Sequence, residues 1–239
     1  MKKSLLLKFA LLLTAIAIIA TLIIRHRPAE ESTPAAREIC LGLTLIIDPG
    51  HGGADGGAVS ANGLRESEVN LDIAQRLDQL MGFFGVRTVM TRDSEDITYS
   101  PSADTIRAKK VEDTRNRVSL INSIENAVLI SIHQNTYPSP GPSGTQVLFA
   151  RTAGSEAFAK SMQQLFITAM GSQNRRTATR VPGNVFLMNQ VTVPAILVEC
   201  AFLSNPEEEA LLKTGEYRLK IAAIISAGFL SQRELFAEN

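Results

Sequence analysis

One stretch constrains this chain more than any other: Leu45-Ile46-Ile47-Asp48-Pro49-Gly50-His51-Gly52-Gly53. The near-continuous apolar run from Leu43 to Ile47 reads as a strand buried on both faces. It stops at Asp-Pro-Gly, and a histidine follows between glycines. The piece from Gly50 to Gly63 is too glycine-rich for a helix and reads as a loop passing close to a ligand. Three other segments look built to meet it: Arg65-Glu66, Ile130-Ser131-Ile132-His133-Gln134-Asn135 and Ile196-Leu197-Val198-Glu199-Cys200. In each, a residue able to do chemistry stands at the end of a short apolar run or at the start of a helix pattern. Ligand sites in open α/β sheets form at the carboxyl ends of strands.

The rest of the chain supplies the sheet and its covering helices. From Glu66 to Phe84, Val69, Ile73, Ala74, Leu77, Leu80 and Met81 largely follow helical spacing. Glu66 falls in the first turn, where the helix dipole favours an acid whatever else that acid does. Val86 to Thr91 reads as a strand, and the polar Arg92 to Thr105 as a loop at the site rim. Arg107 to Glu125 is the next helix; its Lys109, Lys110, Arg115 and Arg117 are most simply a solvated face, with one or two available to an anionic substrate. Ala127 to Ile132 is a buried strand with His133 directly after it, and Gly144 to Ala150 is another strand. Ser155 to Met170 is a helix capped by Ser155, and Ser172 to Pro182 is a basic surface connection. Val185 to Met188 reads as a short strand, and Ala195 to Val198 as the last buried one, with Glu199 at its carboxyl end. Ser204-Asn205-Pro206-Glu207 opens a helix, and Tyr217 to Leu230 closes the fold. This alternation predicts a single α/β domain over residues 42–235, a mainly parallel twisted sheet with helices on both faces.

Ahead of the domain, Met1-Lys2-Lys3 precedes an apolar segment that ends at Arg25-His26-Arg27. Counted from Leu5 with Lys8 snorkelling, it is about 20 residues long, enough to span a bilayer. Residues 1–27 therefore read as an uncleaved membrane anchor, with a cleaved signal segment as the alternative. Both place the domain outside the cytoplasm. Residues 28–41, with Pro28 and Pro34, form a linker. The 24 basic and 24 acidic residues balance, and no basic stripe with aromatics appears, which argues against a nucleic-acid partner. Two cysteines, Cys40 and Cys200, exclude a disulfide scaffold or Cys-rich metal module.

Of three histidines, His26 belongs to the segment after the apolar run, and the other two each follow a buried strand. Alone, such a histidine is more often structural than a ligand. His51 and His133 together with Glu66 match a catalytic zinc set, two imidazoles and one carboxylate with a position open to water. A buried Glu199 needs a proton or a nearby cationic centre, which makes it the candidate general base.

Four ordered motifs, Asp48-Pro-Gly-His-Gly-Gly, Arg65-Glu66, Ser131-Ile-His133-Gln-Asn135 and Val198-Glu199 with Phe202-Leu-Ser-Asn-Pro206, give the chain its family likeness. Over residues 43 to 231 it resembles the zinc-dependent N-acetylmuramoyl-L-alanine amidases (the amidase type 3 family), most of all the sporulation type acting on spore cortex. The resemblance implies zinc on His51, Glu66 and His133, catalysis by Glu199, and peptidoglycan as substrate. Asp48 and Asn135 are candidates for substrate or supporting contacts, or for an Asp-Pro turn and a loop cap. Two departures are Ala201, where glycine is usual, and Gln134, where a small residue is commoner. An activating partner protein is left open. The competing readings are a zinc peptidase of stem peptides and a non-catalytic wall-binding or regulatory protein, whose sign would be a missing ligand.

Overall fold

Aliphatic runs build the centre of the sheet. In the computed structural model, which describes residues 42–171 and 174–236, β1 (Thr44–Pro49) is buried at every position. Helix α1 (Glu66–Phe83) follows, then β2 (Arg87–Met90), α2 (Ile106–Asn122) and β3 (Ala127–Asn135). Next come β4 (Gln146–Phe149), α3 (Ser155–Met170), the two-residue β5 (Thr179–Arg180) and α4 (Phe186–Gln190). The chain closes with β6 (Ala195–Phe202), α5 (Pro206–Leu212), α6 (Gly215–Gln232) and a 3-10 turn (Arg233–Phe236). The anchor or signal segment, the linker and Cys40 lie outside the described residues. Among the described residues no helix is long and apolar enough to cross a membrane.

The strand order is β2-β1-β3-β6-β4-β5. The first four strands run parallel, as the alternating pattern predicts. The sheet is nonetheless mixed, because β4 lies antiparallel to β6 and carries β5 with it. Burial alternates along β4, the mark of a strand toward the edge with one open face. Leu45, Ile47, Ile130, Val198 and Cys200 pack on one side against Val69, Ile73 and Leu77 of α1 and Phe158 and Phe166 of α3, with Ile221 and Ile225 of α6. Ile46, Leu129 and Leu197 face Ile121 of α2 and Leu187 and Met188 of α4. Helices thus cover both faces.

Several local expectations need correction. Val185 to Met188 lies at the start of α4, not in a strand, since a short apolar run has no period to separate the two. The connection from Ser172 to Pro182 contributes β5, though residues 172–173 are outside the described set. Ser155 is the first residue of α3 rather than its cap; its buried hydroxyl accepts instead from the Ala195 amide at the start of β6. Asn205 does cap α5, accepting from the amides of Glu207 and Glu208.

The largest correction concerns Arg117, read as part of a solvated helix face. It is 5% exposed and forms a 2.8 Å ion pair with Asp48, itself 1% exposed. Its other donors reach the carbonyls of Pro49 and His51, each at 2.7 Å, and the carboxylate of Asp113. Arg92 clamps the same loop from the other side through the carbonyls of Pro49 and Gly50. Two buried guanidinium groups thus satisfy the backbone where β1 ends and fix the path of the His51 loop.

Arg117→Ala leaves Asp48 buried without its cation, so about 3–5 kcal/mol of stability is lost. For a domain of this size that lowers Tm by roughly 6–20 °C in a thermal melt. Burial alone would raise the Asp48 pKa, but Arg117 and the hydroxyls of Ser131 and Thr91 hold it below the ordinary 3.8. A depressed carboxyl pKa gives stability that is present above the unfolded value and is lost as pH falls through the folded one. Melts of the wild type should therefore steepen in their pH dependence below about pH 4, and those of Asp48→Asn should lack that component.

Candidate metal centre

From β1 the chain turns to β2 on one side and then crosses to β3 on the other, so the carboxyl ends of β1 and β3 form a switch point. The predicted residues meet there. His51 lies in the loop leaving β1, Glu66 is the first residue of α1, and His133 is near the end of β3. Glu199 of β6 is the register partner of His133 on the neighbouring parallel strand, so the two project from the same face. Both strands run further than the sequence suggested, to Asn135 and Phe202, so His133 and Glu199 sit within strands rather than after them.

Glu66 stands between the two imidazoles. Its Oε1 is 2.9 Å from His133 Nδ1, and its Oε2 is 3.3 Å from His51 Nε2. The two rings are nearly perpendicular, with centroids 5.0 Å apart. One donor atom from each of His51, Glu66 and His133 lies within 4.8 Å of the others. Glu66 also accepts from the amides of Ala58 and Gln134, which fixes its carboxylate in the cluster.

The glycine loop explains its own composition. A Cβ on Gly50 would fall on the His133 ring, and one on Gly57 would strike Glu66 Oε2 and His51 Cδ2 at 2.6 and 2.8 Å. His51 has φ of 61°, a left-handed conformation uncommon outside glycine. Arg117 holds its carbonyl, and Asp55 holds its ring.

Asp55 was not singled out in the sequence, where an acid among glycines reads as a turn residue. Its Oδ2 is 2.9 Å from His51 Nδ1, which leaves Nε2 facing Glu66. A carboxylate on the far nitrogen of a ligating histidine sets its tautomer and orientation. Asp55→Ala is therefore predicted to weaken metal affinity about 10–100-fold, measured by competition with a chromogenic chelator.

The other two candidates are placed as follows. Asp48 is buried beneath the loop, its carboxylate engaged by Arg117, Ser131 and Thr91. Asn135 accepts from the Thr136 amide through its side chain and from Leu203 through its carbonyl, the geometry of a loop cap. Cys200 points into the core, and burial pushes its thiol pKa well up, which makes it a poor thiolate.

The electrostatics suit a cation. Burial would raise the Glu66 pKa, yet His133 and His51 hold it far below the carboxylate range. Burial would lower that of His51, but Asp55 and Glu66 lift it to about 9. Glu199 behaves oppositely: enclosure of its carboxylate raises its pKa, with Glu66 adding to the shift and the histidines opposing it. Its Oε2 atom is enclosed and has no hydrogen-bond partner among the described residues. An orphaned buried oxygen costs about 1–3 kcal/mol, and a proton on the carboxyl would relieve it. The donor chemistry and this orphaned oxygen both fit a metal on the His-Glu-His cluster. A three-ligand donor set beside a protonatable glutamate is the equipment of a metal-dependent hydrolase.

The model of the N-acetylmuramoyl-L-alanine amidase family, Amidase_3, matches residues 45–231, and the chain belongs to that family. It is 38% identical over 190 residues to the germination-specific N-acetylmuramoyl-L-alanine amidase of Bacillus subtilis, covering 79% of each chain. It is 32% identical over 216 residues to the N-acetylmuramoyl-L-alanine amidase LytC of the same organism, 88% of this chain but 40% of that longer one. Among solved structures, the CwlD amidase of Clostridioides difficile, in complex with the GerS lipoprotein, has a TM-score of 0.76 at 29% identity. The match covers 80% of this chain and 98% of that one.

Proposed function

We propose that His51, Glu66 and His133 hold a zinc ion and that Glu199 is the acid–base group of the amidase reaction. The bond cut joins the lactyl group of N-acetylmuramic acid to L-alanine of the stem peptide in peptidoglycan. The observation that carries this reading is the cluster within 4.8 Å beside the orphaned Glu199 Oε2. Zinc, when bound, supplies Lewis acidity to the amide carbonyl and to water. The Glu199 carboxylate accepts the proton of the attacking water and delivers it to the departing alanine amine. Its raised pKa suits both halves of that transfer. Asp55 and Arg117 keep His51 in its left-handed geometry throughout.

The biological setting belongs to the same proposal. Likeness to a germination-specific amidase supports a role in spore cortex maturation. The complex of the solved relative with a lipoprotein supports an activating protein partner. Peptidoglycan lies outside the cytoplasm, which agrees with residues 1–27 serving as an uncleaved anchor. Metal analysis of the purified chain, with peptidoglycan digestion before and after chelation, tests the chemistry. Zinc should co-purify, chelation should stop release of stem peptides, and added zinc should restore it. New termini inside the stem peptide, in place of free muramyl carboxyl groups, would make the enzyme a peptidase instead.

A further inference from the structure

A cleft of about 430 Å³ opens between α2 and α4. Arg107, Lys110, Val111, Thr114 and Arg115 line one wall and Phe186 the other. Positions 107, 110, 111, 114 and 115 share one helical face. Val111 and Phe186 are 42% and 49% exposed, leaving apolar side chains open to solvent among the cationic ones. One cleft residue reaches toward the centre: Lys110 Nζ lies 2.7 Å from Asp55 Oδ2, the same oxygen that holds His51 Nδ1. The acids of α2 are engaged elsewhere, Asp113 with Arg117 and Glu112 with Ser100. Among the described residues the ion pairs of α2 are those of Lys110 and Arg117, so Arg107 and Arg115 carry uncompensated charge.

We propose that this cleft binds the stem peptide of the substrate, Arg107 and Arg115 taking its carboxylates and Val111 and Phe186 its aliphatic portions. The assignment rests on the amidase reading, which puts the muramyl–alanine bond at the cluster and leaves the remaining peptide to run outward. A stem peptide that is not cross-linked through its carboxyl end carries a free carboxylate there. A guanidinium fork receives a carboxylate through two parallel hydrogen bonds, a match that a lone exposed charge does not offer. Val111 lies between the two arginine positions on the same helix face, and Phe186 faces them from α4. An anionic peptide with short aliphatic side chains complements both features.

Calorimetric titration of two synthetic stem peptides into the full-length protein tests this without needing turnover. One peptide keeps its carboxylates, and the other has each converted to a carboxamide. The wild type should prefer the acidic peptide, with a preference that shrinks as salt is added. Arg107→Glu with Arg115→Glu should weaken acidic-peptide binding by about tenfold or more and leave the carboxamide peptide unaffected. The Arg107→Lys and Arg115→Lys pair should recover part of the loss. Equal binding of both peptides by the wild type, no binding of either, or an acidic-peptide Kd unchanged in the charge-reversed variant would overturn the proposal. Acid-selective binding by a wild type that cleaves no peptidoglycan would count against the amidase reading and still uphold the cleft.

Discussion

Glu199→Ala should keep its bound zinc and lower kcat by a factor of about 10²–10⁴, the contribution of a positioned acid–base group. Glu199 is not one of the three clustered donors, so its removal leaves the donor set whole. Its Oε2 has no hydrogen-bond partner to lose among the described residues, and the substitution therefore does not orphan another buried group. Stability should change little, or rise as a costly enclosed carboxylate is removed. Glu199→Gln keeps the shape and removes the proton acceptor, and it should be as inactive as alanine. Full kcat in the glutamine variant would show that the proton passes elsewhere.

His133→Ala should fail at an earlier step. It removes one of three clustered donors and strips Glu66 of its 2.9 Å partner. Zinc affinity should fall by more than the about 10–100-fold assigned above to an outer partner such as Asp55, with turnover lost at ordinary zinc concentrations. A thermal melt separates this from simple unfolding. Zinc at a hundredfold excess over its Kd adds about 2.7 kcal/mol to the wild type, which raises its Tm by roughly 5–10 °C. The His133→Ala protein should melt cooperatively with no such rise. A zinc-dependent Tm increase equal to that of the wild type would remove His133 from the ligand set.

The residues that gather at the candidate site are legible because of where they stand along the chain. His51, His133 and Glu199 each interrupt or end an apolar run, where a buried strand has no structural use for an ionisable group. Glu66 opens a helix and became informative only in company with the other three. The supporting residues left no such mark. Arg117 sits in a polar helix pattern among other cations, and only its tertiary meeting with Asp48, 69 residues earlier, buries it. Asp55 is one acid in a glycine-rich turn, and its role depends on the left-handed fold of His51 beside it. The covering helices followed from their period, whereas the reversed direction of β4 did not, because strand direction leaves no trace in an alternating pattern. The five-residue α4 is too short for its apolar residues to show a period that separates helix from strand.

If Glu199 moves the proton as this cluster cuts the muramyl–alanine bond, turnover and the carboxylate must be lost together. Mass spectrometry of purified peptidoglycan, incubated with the zinc-loaded full-length protein or its Glu199→Ala variant, tests it most directly. The wild type alone should release intact stem peptides beginning at L-alanine and leave free muramyl carboxyl groups on the glycan. Stem peptides released equally by the variant, or cleavage only within the peptide, would contradict it.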